Sequence, residues 1–139
     1  MVENLDEKTT LEQLKKEIAK FTEERNWSKY HKPKDLAVSI SIEAGELLEN
    51  FQWLTDDEIE RLIKDPKKMG GIRAELADVF AYALNLSNRL GIDVSEAVIE
   101  KIKEKKNIQL RKSKAIIKNT QKLSRSDPLI IEIVVISPK

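Results

Sequence analysis

Two pairs of carboxylates interrupt otherwise apolar stretches of this chain. Glu43-x-x-Glu46 lies within residues 37–48, and Glu75-x-x-Asp78 lies within residues 74–84. A spacing of three puts both members of a pair on one helix face. Most such pairs are surface charges that make ion pairs along their own helix. Here both pairs sit in apolar helical text, and the connection between them is long enough to bring their helices antiparallel. Four carboxylates converging there would repel, and some would have to stay protonated unless a cation neutralised them. The pattern therefore demands a helical fold with a shared acidic space. Hard oxygen ligands of this kind suit Mg²⁺, one or two ions, which retains water and substrate phosphates in its shell.

The rest of the composition narrows the alternatives. A length of 139 residues suggests one domain, and 40% hydrophobic residues allow a modest core. Helical chains this short often gain burial by oligomerising. Cysteine is absent and His31 is the one histidine. Disulfides, thiolate catalysis and thiolate zinc sites are excluded, and a histidine-rich metal site is disfavoured. The polar, acidic residues 1–8 do not read as an export leader, and no apolar run reaches the length of a membrane span. The expected location is cytoplasmic. The net charge of +1 hides an asymmetry. Residues 1–90 carry 14 basic and 18 acidic side chains, and residues 91–139 carry 11 and 6. The basic excess between 101 and 122 can face phosphates or form a solvated helix face.

Periodicity and punctuation predict an all-α, antiparallel four-helix-bundle-like core with helices over about 10–25, 35–52, 72–90 and 94–119. Thr10, Asp35 and Asp93 are the expected N-caps, and Gly91 the expected stop. A short extra helix is expected over 56–63. Asp65-Pro66 and Gly70-Gly71 read as a connection. Residues 129–136 are β-branched and read as a short strand or a disordered end. The domain is expected to occupy 1–124, with 125–139 as a tail.

Several further side chains have chemistry to offer. Tyr82 shares the stripe of Glu75 and Asp78, where it can bond a sugar or phosphate or sit half-buried in the core. Trp27 in a loop and Trp53 at a helix end can stack on a base, although Trp53 can equally close the helix as an apolar anchor. His31 can contact substrate or rest against its loop. Glu49 can approach a second metal or a water, or make a surface ion pair.

At these residues the chain resembles the all-α nucleoside triphosphate pyrophosphohydrolases, the MazG-like superfamily. Their hallmark is E-x-x-E, a spacer, then E-x-x-D; the spacer here is 28 residues. The elements Arg25-x-Trp27, His31-x-Pro33-Lys34 and Phe51-Gln52-Trp53 look like the dCTP pyrophosphatase branch. The resemblance covers roughly residues 10–110. It implies that Glu43, Glu46, Glu75 and Asp78 are catalytic metal ligands for Mg²⁺, with Mn²⁺ as a substitute. It also implies that Trp27 and Trp53 form a nucleobase pocket and that Tyr82 lies beside the sugar or phosphates. A Lys on the last helix, Lys101 here, would serve the phosphates. The family's Asn four residues later is replaced by Lys105, which would share that task. Asp35 stands where the family commonly has Asn. Ile18 stands where animal members have His, so base selectivity resting on that contact does not transfer.

The expected activity is Mg²⁺-dependent conversion of a dNTP, dCTP or a modified dCTP favoured, to dNMP and pyrophosphate. Removal of unwanted nucleotides from the precursor pool is the implied role, and a homotetramer or dimer the implied assembly. The competing reading is a nucleic-acid-binding helical protein that uses the basic stretch 101–122. Against it, all seven aromatic residues lie at or before Tyr82, so that stretch carries no stacking side chain. A third reading is a helical assembly module whose acidic pairs are only structural.

Overall fold

The computed structural model describes residues 4–126, with side chains through 118. Among them every regular element is helical: α1 (Leu11–Glu24), α2 (Pro33–Glu49), α3 (Asp56–Leu62), α4 (Pro66–Leu90) and α5 (Val94–Ser126), with short 3-10 turns at Leu5–Glu7 and Trp27–Lys29. The all-α expectation holds. The strand read over 129–136 lies outside the described residues.

The starts of α1 to α4 have local causes. Thr10 and Gln13 form a capping box: the Gln13 backbone N–H donates to Thr10 Oγ1 (3.2 Å) and the Thr10 N–H donates to Gln13 Oε1 (2.7 Å). Thr55 and Glu58 do the same for α3. α2 begins two residues earlier than expected, at Pro33, because proline presets the backbone angle of a first helical position and gives up an N–H that would have no partner there. Asp35 falls in the first turn instead, where its charge meets the helix dipole. α2 also stops at Glu49, so residues 51–53 form a turn rather than helix.

The largest departure is in α4, which starts at Pro66 and not near Ile72. Asp65 Oδ1 accepts from the backbone N–H groups of Lys67 (2.9 Å) and Lys68 (3.3 Å), and Pro66 follows as the first helical residue. That start signal outweighs Gly70-Gly71, which lie inside the helix. Gly91 ends α4 at φ 64°, in the left-handed region that favours glycine, and the Ile92 N–H closes back on the Ser87 carbonyl at 2.9 Å. α5 runs to Ser126, past the expected 119.

The chain divides between Ser95 and Glu96 into two compact units. In the first, α4 is the central element and packs against α2 and α1. Both run antiparallel to it. Asn88 Nδ2 donates to the Lys15 carbonyl (2.8 Å) while Asn85 reaches Thr22, and Arg89 donates to the Ser28 carbonyl (3.2 Å) while Glu43 lies near Glu75 and Asp78. The buried apolar side chains are Leu36, Leu62, Ile72 and Leu84, one each from α2 and α3 and two from α4. The second unit is α5 from Glu96 onward, a polar helix on which Val98, Ile99 and Ile102 are exposed.

Candidate functional site

The packing of α2 on α4 decides where the acidic pairs go. Glu43 from α2 and Glu75 and Asp78 from α4 bring one carboxylate oxygen each within 4.8 Å of one another. Glu43 and Glu75 are half-buried and Asp78 is exposed. Desolvation, and after it the charges of Glu46, Asp78 and Glu75, push the Glu43 carboxyl above its ordinary value. Glu46 is exposed and does not join the trio, although its charge reaches Glu43.

The donor set fits a hard divalent cation. It is all oxygen, half-buried, and repulsive as it stands. None of the four carboxylates makes an ion pair or a side-chain hydrogen bond with another described residue.

Asp78 also borders a cavity of about 600 Å³ between α1 and α4. Phe21, Trp27, His31 and Tyr82 line it with their rings, beside the charged Glu17, Lys20 and Glu24. Phe21 meets Trp27 edge-on at 5.7 Å, Trp27 meets His31 at 5.8 Å, and His31 meets Tyr82 at 6.4 Å. Asn26, at φ 55°, turns the chain out of α1 into the short 3-10 turn that carries Trp27. The Arg25 guanidinium lies 3.6 Å from the Phe21 ring centroid and 5.9 Å from that of Trp27, which braces this wall by cation–π attraction. Ile18 supplies an aliphatic patch. A cavity with ring side chains in its wall, next to a cation cradle, can hold an aromatic ring at one end and a polyanion at the other.

Of the residues singled out from the sequence, Trp27, His31 and Tyr82 line this cavity together with Asp78. Trp53 is 85% exposed in the turn after α2 and does not line it. Lys101 and Lys105 are exposed on α5, in the second unit, where Lys101 Nζ pairs with Glu104 at 2.7 Å. Sequence reasoning missed Phe21, Thr22 and Asn85 as cavity residues. The signal for Asn85 was present, since it follows Tyr82 by three and Asp78 by seven on a single stripe.

A family model described as MazG-like matches residues 38–123, which include both acidic pairs. The chain belongs to the MazG-like family. Among curated proteins it is 38% identical over 93 residues to mouse dCTP pyrophosphatase 1 and 37% identical over 93 residues to the human protein of that name. Each alignment covers 67% of this chain and 55% of the relative, so the chain spans about half the length of the curated relatives it matches. Among solved structures, a pyrophosphatase from Archaeoglobus fulgidus is 42% identical with a TM-score of 0.65, over 70% of this chain and 89% of that one. Among the described residues, no helix of this MazG-like chain is long and apolar enough to cross a membrane.

Proposed function

We propose that this MazG-like chain is a nucleoside triphosphate pyrophosphohydrolase that converts a dNTP, dCTP or a modified dCTP first, to dNMP and pyrophosphate. The observation that carries this is the carboxylate trio at the edge of a cavity with ring side chains in its wall. The names of its relatives, dCTP pyrophosphatase and pyrophosphatase, support the same substrate class.

Glu43, Glu75 and Asp78, with Glu46 swinging in from α2, would hold Mg²⁺ or Mn²⁺. A divalent ion there supplies neutralisation of phosphate oxygens and acidification of water. Glu46, or Glu49 one turn further on, is available to orient or deprotonate the attacking water. Trp27 and His31 would flank the base, with Trp53 stacking from the open side, and Tyr82 would meet the sugar. Lys101 and Lys105 would stabilise charge on the pyrophosphate leaving group. Pool cleaning in the cytoplasm is the role this activity fits. A homotetramer or dimer is part of the proposal. Val38, Ile42, Leu76 and Phe80 on α2 and α4 are all exposed, an apolar surface that a second copy would cover.

The test is pyrophosphate release from dCTP with Mg²⁺. The parent should turn over, and Glu43→Ala and Asp78→Ala should each lose activity by at least about a hundredfold. Undiminished turnover in either variant would refute the assignment of the site.

A further inference from the structure

Thr22 and Asn85 line the cavity and have no part in the proposed chemistry. Thr22 on α1 and Asn85 on α4 are 4% and 5% exposed. Thr22 Oγ1 lies 2.9 Å from the Ile18 carbonyl, which can only accept, so the hydroxyl proton is committed there. Asn85 Nδ2 lies 3.3 Å from the same Oγ1. With its one proton spent, Oγ1 must accept, and the amide therefore turns its nitrogen and not its oxygen toward Thr22. The same Nδ2 lies 2.9 Å from His31 Nδ1. Both amide hydrogens are now used, and the neutral His31 ring carries its proton on Nε2. The network, with the Thr22 hydroxyl donating to the Ile18 carbonyl, assigns this orientation of the amide over its flip.

This leaves Asn85 Oδ1. It accepts no hydrogen bond among the described residues, and it is not sealed in, because no buried side-chain oxygen there lacks a partner. Asn85 is one of the residues that line the cavity, so an acceptor with residual exposure there is available to a ligand. A fixed acceptor in such a cavity calls for a donor on whatever ring enters it. Asp78, Tyr82 and Asn85 also mark out a length along α4. Seven residues span about 10 Å along a helix axis, comparable to a nucleotide from its phosphate to the far edge of its base.

We propose that Asn85 reads the exocyclic amino group of a pyrimidine base, with Thr22 as the positioning residue that locks its amide. The inference rests on the nucleotide-hydrolase reading of this site and deepens it. A cytosine amino group donates to Oδ1. Uracil and thymine present a carbonyl oxygen at the same ring position, so two acceptors face each other and neither is satisfied.

The experiment compares dCTP with dUTP by kcat/KM, and dCMP with dUMP by quenching of tryptophan fluorescence, which needs neither turnover nor metal. The parent favours the amino base by about tenfold or more in both assays. Asn85→Ala brings both ratios close to one, mainly by weakening the cytosine ligand. Thr22→Val relaxes the ratios while Thr22→Ser keeps them, a pattern that general damage to the fold would not produce. Should Asn85→Ala lose its helical circular dichroism, the Thr22 pair carries the test. A parent that binds dCMP and dUMP equally, or variants that leave the ratio unchanged, would overturn the assignment of Asn85. A parent that discriminates in binding but releases no pyrophosphate would overturn the hydrolase reading and leave the base reader standing.

Discussion

At Glu43 the carboxyl is raised by desolvation and then by three neighbouring carboxylates, and this has a consequence for stability. An acid whose pKa rises on folding holds its proton more tightly in the fold than in the unfolded chain. Its contribution is fully present below the ordinary value of 4.5 and is lost as pH rises through the raised one. The metal-stripped protein should therefore lose thermal stability across that window. Glu43→Gln should lack this loss, melt higher than the parent in a chelator near neutral pH, and gain nothing from added Mg²⁺, whereas the parent gains. Thermal melts at a series of pH values would show it, and superimposable curves for parent and variant would count against the cluster. The trio was legible because spacing, apolar context and separate helices all pointed inward. Glu46 and Trp53 were harder to place, because each depends on where α2 ends and how it is rotated, which periodicity fixes only to within a residue or two. Asn85 went unread although it shares the stripe of Asp78 and Tyr82, because an uncharged amide in a helix interior adds no charge signal to that spacing. Its role emerges only from Thr22 and His31, which are distant in sequence.

At the scale of elements, α4 starts furthest from its expected position, and the competing signals can be weighed. Asp65 and Pro66 form a strong start, and Gly70 and Gly71 are a weak interior. A methyl group added at either glycine would meet nothing within 4 Å. Gly70→Ala and Gly71→Ala should each stabilise the chain by about 0.5–1 kcal/mol, through helix propensity alone. Asp65→Ala should cost about 1 kcal/mol by leaving the Lys67 and Lys68 N–H groups without their cap. Urea unfolding of the three variants would measure both signs. Glycine variants less stable than the parent would mean that those positions serve close packing and not an open helix face. α1 and α3 start at their capping boxes, since Thr10 and Thr55 each hold a reciprocal pair of bonds.

For the molecule as a whole, the inventory of buried side chains is short. Leu36, Leu62, Ile72 and Leu84 are the buried apolar residues among those described, while Ile42 and Phe80 remain 53% and 59% exposed. So small a core leaves a chain of this length marginal alone, and association would supply the missing burial. Phe80→Lys or Ile42→Glu should dissociate the proposed homo-oligomer and lower its melting temperature together, as sedimentation and thermal melts would report. A parent already monomeric at micromolar concentration would contradict this. Titration of Mn²⁺ followed by electron paramagnetic resonance should show tight binding to the parent. Binding should weaken by at least about tenfold in Glu75→Gln, which removes one ligand charge while keeping the side chain's shape. Equal binding by parent and variant, or none by either even with dCTP present, would contradict a divalent-cation site built from Glu43, Glu75 and Asp78.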